Sequence, residues 1–98
     1  MRYEIVLTDT AKGHYRGLSA RWRSVVRDGL EMHLRHEPTK VSRSRIKRLR
    51  GMDHPEYRLR LEDYRVFYDV EAETVVVLAI VPKENIESWL DQYGAKSR

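Results

Sequence analysis

The chain has 98 residues, of which 19 are lysine or arginine and 15 are aspartate or glutamate, so its formal net charge is +4. This length predicts a single domain over residues 1–98 with a modest core. The absence of cysteine excludes disulfides, thiolate metal sites and cysteine nucleophiles. Without a signal-peptide pattern or an apolar run of membrane-spanning length, we expect a soluble, cytoplasmic protein that does not contact membranes.

Positive charge is concentrated in the middle of the chain. Between Lys40 and Arg65 there are nine lysines or arginines but only four aspartates or glutamates. A basic block inside a folded domain indicates a polyanionic partner, most often nucleic acid. The alternative is a solvated basic face that has no partner.

The first third of the chain predicts a strand followed by a helical hairpin. YEIVLT at residues 3–8 is a short β-prone run, and Asp9 or Thr10 can cap the helix that follows it. Ser19 is a second candidate N-cap, because apolar residues recur at helical spacing after it. Pro38 ends this second helix or follows its end closely.

The remaining chain predicts four strands and a short helix. IKRLR at residues 46–50 alternates weakly, YRLRL at 57–61 alternates strictly, and YRVFYDV at 64–70 returns after a tight turn. The continuous apolar run at 74–81 is typical of a strand that is covered on both faces. MDHP, before the second of these strands, is predicted to be a turn, and the tail after Tyr93 is expected to fray.

The predicted order of elements is therefore βααββββα. Consecutive strands joined by tight turns pair antiparallel. We expect an α+β fold, in which an antiparallel sheet carries the N-terminal helical hairpin on one face and is followed by a short C-terminal helix.

Alternation along the strands places three arginines on one face of the sheet. If the leucines of YRLRL face the helices, then Arg58, Arg60 and Arg65 face away from them. Side-by-side arginines repel one another, and a phosphate backbone would offset that cost because arginine binds phosphate in a bidentate manner. Lys47 or Arg48, and Arg50, are predicted to join this face from the preceding strand and to contact RNA. Phe67 and Tyr64 lie nearby and could stack on bases.

The histidines predict no metal site. His54 lies in a loop before the arginine strand, where it suits RNA contact or acid–base chemistry. The remaining three histidines lack a matching set of ligands. We therefore predict neither a metal nor any other cofactor.

The stretch RLRGMDHPEYRLRLEDYRVFYDV at residues 48–70 and the run ETVVVLAIV after it resemble the RelE/ParE toxin superfamily of bacterial toxin–antitoxin systems, and its RelE branch in particular. The resemblance implies a metal-independent, ribosome-dependent endoribonuclease, an mRNA interferase that inhibits translation and arrests growth. It also implies that Arg58 and Arg60 hold and polarise RNA, that Arg65 stabilises the transition state, and that a cognate antitoxin silences the protein.

The C-terminal segment VPKENIESWL departs from the family pattern. Members of the superfamily often carry a His-Arg or Lys-Arg pair after the last strand and a tyrosine in the next helix. Lys83 supplies one positive charge, but Pro82 and Glu84 stand where the second group is often found. Leu90 occupies the tyrosine position. Tyr93, one helical turn later, could substitute in catalysis, and Glu84 or His54 could transfer protons.

Two alternative functions therefore stay open. The protein could be a ParE-like toxin, which binds and poisons DNA gyrase and cuts nothing. It could also be a catalytically weakened, non-toxic member that only binds its antitoxin. The expected partners are an antitoxin in every case, and the ribosome and mRNA if the protein is an endoribonuclease.

Overall fold

The computed structural model describes residues 1–96. Its elements, in chain order, are β1 (Glu4–Leu7), α1 (Asp9–Arg16), α2 (Ala20–Leu34), β2 (Ile46–Arg48), β3 (Met52–His54), β4 (Tyr57–Leu61), β5 (Tyr64–Glu71), β6 (Thr74–Pro82), a 3₁₀ turn (Lys83–Asn85), α3 (Ile86–Tyr93) and β7 (Ala95–Lys96). Within residues 1–96, every helix is too short or too polar to cross a membrane.

Five of the strands form one sheet in the order β1-β6-β5-β4-β2. The pairs β2–β4, β4–β5 and β5–β6 are antiparallel, whereas β1 runs parallel to β6. The predicted α+β class is confirmed. The one parallel pair differs from the prediction because β1 and β6 are distant in sequence, so the tight-turn argument does not apply to them.

Both helices of the N-terminal hairpin begin at a side-chain cap. The Thr8 hydroxyl accepts a hydrogen bond from the Ala11 amide at 3.2 Å, and the Ser19 hydroxyl accepts one from the Trp22 amide at 3.3 Å. The prediction of Ser19 is confirmed. The first cap lies one residue before the two candidates that the sequence suggested, because β1 ends at Leu7 and α1 already begins at Asp9.

The main core lies between this hairpin and one face of the sheet. The Tyr68 side chain is fully buried there, and its hydroxyl donates to the Pro38 carbonyl at 2.6 Å. Gly29 allows α2 to approach β4 closely, since a Cβ at this position would clash with the Leu61 side chain. Other buried members of this core come from α2, β4, β5 and β6: Val26, Leu30, Leu34, Leu59, Val66, Val75 and Val77.

The C-terminal helix packs on the opposite face of the sheet. The indole of Trp89 stacks on the ring of Phe67, with centroids 4.9 Å apart and an interplanar angle of 6°. A smaller apolar cluster surrounds this pair: Leu49, Ala79, Val81, Ile86 and Leu90. The face that carries the arginines is therefore partly covered by α3.

A short ladder between β3 and β7 joins the end of α3 to the rest of the fold. In it, Met52 pairs with Lys96 and His54 pairs with Ala95. The sequence predicted a turn at β3 and a frayed tail after Tyr93, and both predictions were wrong for residues 52–54 and 95–96. Strands of two or three residues are too short to show an alternating pattern. The end of the tail lies outside the described residues.

Candidate functional site

Basic side chains form two rows across the face of the sheet that carries α3. Arg60 and Arg65 are direct partners across β4 and β5, and Lys47 and Arg58 are direct partners across β2 and β4. Arg45 extends the first row, because its carbonyl accepts from the Arg60 amide at 2.9 Å and its Nη1 donates to the Arg60 carbonyl at 3.1 Å. Like charges placed directly opposite one another destabilise a sheet. This arrangement therefore opposes folding rather than supporting it.

The two rows border a basic cavity of about 350 Å³. Its lining consists of Ser42, Arg43, Ser44, Arg45, Ile46, Lys47, Arg58 and Arg60. No carboxylate lines this basic cavity, and within residues 1–96 none of its five basic side chains forms an ion pair. Its charge is thus left for an anion from outside the chain.

Arg43 and Arg45 were not among the residues predicted to bind RNA. The segment that carries them precedes the strand predicted at residues 46–50, and the structure leaves it outside β2. The sequence does contain a signal for these two residues. Arg43, Arg45 and Lys47 occupy every second position, which continues the alternation of the adjoining strand.

Arg58 has an unusual environment within the basic cavity. Its side chain is half-buried, and its Nε is buried without a hydrogen-bond acceptor among residues 1–96. A buried donor that lacks an acceptor costs about 1–3 kcal/mol. An anionic ligand could supply the missing acceptor if the guanidinium turned toward it.

Arg65 differs from its neighbours because the fold already uses it. It is 9% exposed, and its Nη1 donates to the carbonyls of Glu62 at 2.6 Å and Tyr64 at 2.9 Å, which closes the β4–β5 turn. Burial lowers the pKa of Arg65, and the positive charges of Arg60 and Arg58 lower it further. Arg65 therefore contributes positive potential to the rows, although it does not line the basic cavity.

Two other predicted RNA contacts lie away from the basic cavity. Arg48 is on the opposite face from Lys47: its Nη1 donates to the Glu56 carbonyl at 2.9 Å and its guanidinium lies 5.3 Å from the centre of the Tyr57 ring. Of these two residues, Lys47 is therefore the one that lies on the arginine face. Arg50 is exposed in the turn between β2 and β3 and does not line the basic cavity.

The predicted aromatic platforms are corrected by the structure. Phe67 is fully buried beneath Trp89, so its ring is not available to a base. Tyr64 faces the helical hairpin, where its ring lies 4.9 Å from that of Trp22. The ring of Phe67 was expected to be exposed because an uncovered sheet face was assumed, whereas α3 covers it. Tyr64 shares the hairpin face with Val66 and Tyr68.

His54 and Tyr93 line a different cavity on this side of the sheet, of about 470 Å³. The His54 Nδ1 lies 2.7 Å from Oδ2 of the buried Asp69, whose Oδ1 accepts from the Glu56 amide at 2.8 Å. The hydrogen bond to Asp69, and then its negative charge, raise the pKa of His54. We call this space the His54 cavity.

Lys83 lies apart from both the basic cavity and the His54 cavity. It forms an ion pair with Asp63 at 3.4 Å and lines a cavity with Trp22 and Tyr64. Five residues were predicted to be catalytic: Arg58, Arg60, Arg65, Lys83 and Tyr93. They do not form one cluster, because only Arg58 and Arg60 line the basic cavity. Within residues 1–96, no three histidine or carboxylate side chains come together as metal ligands.

Comparison with known proteins identifies the family. No match to this chain is found among curated protein sequences. A family model described as the ParE toxin of the type II toxin–antitoxin system parDE matches residues 5–86. The match covers most of the chain.

Solved structures with a similar fold are toxin–antitoxin complexes. The archaeal RelE–RelB complex from Pyrococcus horikoshii includes a chain with 23% identity and a TM-score of 0.69, over 85% of this chain and 97% of that one. The RelBE2 complex from Mycobacterium tuberculosis gives 26% identity and a TM-score of 0.67, over 85% and 100%. The RelB–RelE complex from Methanococcus jannaschii gives 18% identity and a TM-score of 0.64, over 86% and 96%. The chain belongs to the ParE toxin family of type II toxin–antitoxin systems, within the RelE/ParE superfamily.

Proposed function

We propose that this toxin binds RNA through its basic cavity and cleaves mRNA on the ribosome, as a RelE-like mRNA interferase. The observation that carries the proposal is the set of five basic side chains around one cavity without a carboxylate partner in residues 1–96. Arginine and lysine arranged in this way suit the phosphate backbone of a nucleic acid. A fold retains side-by-side positive charge at a cost in stability, which a phosphate ligand would offset.

The chemistry would depend on positioning and electrostatics. In such a cleavage the RNA 2′-hydroxyl oxygen attacks the adjacent phosphorus and the bond to the 5′-oxygen breaks. Negative charge builds up on the phosphoryl oxygens in the transition state, where preorganised cations stabilise it. Arg58 and Arg60 line the cavity and would hold the phosphate, while Arg65 would add positive potential from its place at the turn.

The partner that silences this protein would be an antitoxin. The three similar solved structures are all complexes of a toxin with an antitoxin. A segment rich in carboxylates, laid over the basic cavity, would compete with RNA for the same arginines. Complementary charge of this kind favours fast and specific association.

Gyrase poisoning is the second candidate function, and two observations favour it. The matching family model is that of the ParE toxin. In addition, Lys83 and Tyr93 lie in cavities separate from that of Arg58 and Arg60, so the groups expected to assist cleavage are not assembled around one phosphate.

Two assays on the purified protein decide between the candidates. Cleavage of mRNA on programmed ribosomes is measured beside supercoiling by DNA gyrase. We expect cleavage by the wild type, a loss of about 10²–10³ in rate for the Arg58→Ala/Arg60→Ala double variant, and unchanged supercoiling. Arg16→Ala/Arg27→Ala is the matched control, because it removes the same charge from exposed positions on α1 and α2.

Each other outcome has a distinct meaning. Inhibition of supercoiling without mRNA cleavage would overturn the proposal in favour of the gyrase-targeting toxin. Inactivity in both assays would overturn it in favour of a non-toxic member that only binds its antitoxin. Equal cleavage by the double variant and the wild type would remove the basic cavity from the mechanism.

A further inference from the structure

The loop between α2 and β2 carries an exposed serine in the lining of the basic cavity. Ser44 lies between Arg43 and Arg45, and all three residues are exposed and precede β2, which is an edge strand of the sheet. Surface loops of this kind are the segments that other enzymes can reach without unfolding the domain. Ser44 is therefore accessible to covalent modification.

Ser44 is one of two serines that line the basic cavity, and the fold uses only the other one. The Ser42 hydroxyl accepts hydrogen bonds from the Arg45 amide at 3.1 Å and the Ile46 amide at 3.3 Å, which fixes the start of β2. Within the part of the chain that the structure describes, the Ser44 hydroxyl makes no hydrogen bond. A group added to Ser44 would leave this turn intact, whereas a group added to Ser42 would disturb it.

The surroundings of Ser44 suit a phosphoryl group attached to its oxygen. Five basic side chains line the same cavity, and no carboxylate does. A phosphorylated serine carries a charge of about −1.5 to −2 at pH 7 and three acceptor oxygens. These oxygens can accept from the arginine side chains around them, and their charge would relieve the repulsion along the two basic rows. The phosphoryl group would then occupy the place proposed for RNA phosphate.

We propose that Ser44 is a phosphorylation site, and that its phosphoryl group fills the basic cavity and prevents RNA from binding there. This inference rests on the proposed RNA-binding function and adds a reversible way to silence it.

The modifying enzyme would be a protein kinase with an acidic substrate groove, because the segment around Ser44 is basic. In the reaction, the Ser44 Oγ attacks the γ-phosphorus of a nucleoside triphosphate, and the bond from this phosphorus to the bridging β–γ oxygen breaks. The nucleoside diphosphate leaves, and a base of the kinase takes up the hydroxyl proton. A phosphatase would reverse the change by hydrolysis.

The first test asks whether the phosphoryl group enters the basic cavity. Phosphoserine is incorporated in the full chain at position 44 and, as the matched control, at position 88, which is exposed on α3 and outside the basic cavity. Nearby positive charge lowers the pKa of an acidic group by about 1–3. By ³¹P NMR, we expect the second pKa of the phosphoryl group on Ser44 to fall from about 6 to about 5 or below, and that on Ser88 to stay near 6.

The second test measures binding of a single-stranded RNA by the same two proteins. The phosphoryl group on Ser44 should lower affinity about 10- to 100-fold, because RNA must displace at least one charge-assisted hydrogen bond. It should also reduce the salt slope of binding by about 1.0–1.4, since it neutralises about 1.5–2 positive charges. The phosphoryl group on Ser88 adds the same charge outside the cavity and should leave the slope unchanged.

The third test asks whether the modification occurs in the cell. The toxin is isolated from the cells that encode it, during growth, starvation and stationary phase, and its peptides are sequenced by mass spectrometry. We expect phosphate on Ser44 in at least one of these conditions. Phosphate on Ser42 instead, or on neither serine, would overturn the assignment of Ser44.

The outcomes separate this inference from the proposed function. A pKa near 6 for the phosphoryl group on Ser44 would overturn its place in the basic cavity, whether or not the protein binds RNA. A lowered pKa with wild-type affinity for RNA would overturn the inhibition. If the unmodified protein binds no RNA, the proposed function fails together with the inhibitory role, while ³¹P NMR and mass spectrometry still decide the phosphorylation site.

Discussion

The two faces of the sheet use the same strands for opposite purposes. In β4, Leu59 is fully buried against the helical hairpin, whereas the next residue, Arg60, is exposed in a row of like charges. The hairpin face buries apolar side chains and stabilises the fold. The α3 face gathers positive charge that opposes folding, and in the proposed function this charge binds RNA phosphates. Stability and binding can therefore be altered separately by substitutions one residue apart.

The largest expected effect on stability comes from the hairpin face. Leu59→Ala should lower the free energy of unfolding by about 2–5 kcal/mol, because it leaves a cavity in the main core. Arg60→Ala should change it by no more than about 0.5 kcal/mol, since an exposed side chain is removed and repulsion is relieved. Urea unfolding at equal salt measures both. An equal loss for the two variants would contradict the division between the faces.

Arg65 lies on the α3 face but also supports the fold, so its substitution tests both roles. Arg65→Ala should lower the free energy of unfolding by about 1–3 kcal/mol, because the hydrogen bonds of a partly buried cation to Glu62 and Tyr64 are lost. Arg58→Ala should lower the free energy of unfolding by less, because Arg58 makes no such hydrogen bonds to the turn. Urea unfolding of both variants provides the comparison, and a smaller loss for Arg65→Ala would exclude a structural role.

Growth assays extend the same comparison to function. Expression of the wild type without an antitoxin should arrest growth, and Arg65→Ala should relieve the arrest. Because Arg65→Ala is also expected to be less stable, the comparison is made at equal amounts of folded protein. Full arrest by Arg65→Ala under that condition would exclude Arg65 from the toxic activity.

The smallest expected effect concerns pH. Asp69 raises the pKa of His54 in the folded protein above the ordinary histidine value of 6.5. The pair therefore stabilises the fold most at a pH where His54 is protonated in both the folded and the unfolded state. This contribution is fully present below pH 6.5 and is lost as the pH rises through the folded-state pKa. The stability difference between wild type and His54→Asn should thus shrink from pH 6 to pH 9. A difference that is constant with pH would show that the pair carries no charge interaction.

Much of the fold could be predicted from the sequence because its signals are local. The strict alternation at residues 57–61 and 64–70 fixed the hairpin, and the helical spacing after Ser19 fixed α2. The ladder of β3 and β7 was missed because such short strands carry no periodicity. The position of α3 was missed as well, since an apolar helix face does not indicate which side of a sheet it covers.

The site was predicted less completely because it depends on tertiary contacts. Alternation correctly placed Arg58 and Arg60 on one face, but burial of Phe67 required knowledge of where Trp89 packs. The pairing of His54 with Asp69 joins residues 15 positions apart, through a register that the sequence does not give. Arg43 and Arg45 were accessible to the same alternation argument, had it been extended beyond the strand.

The salt dependence of RNA binding tests the central claim most directly. The logarithm of the binding constant for a single-stranded RNA falls with the logarithm of salt concentration by roughly 0.7 for each phosphate neutralised. We expect Arg58→Ala/Arg60→Ala to reduce this slope by about 1.4 relative to the wild type, and Arg16→Ala/Arg27→Ala, with the same change in net charge, to leave it unchanged. Equal slopes for the wild type and the Arg58→Ala/Arg60→Ala variant would contradict the proposal, because they would show that the basic cavity does not bind RNA phosphates.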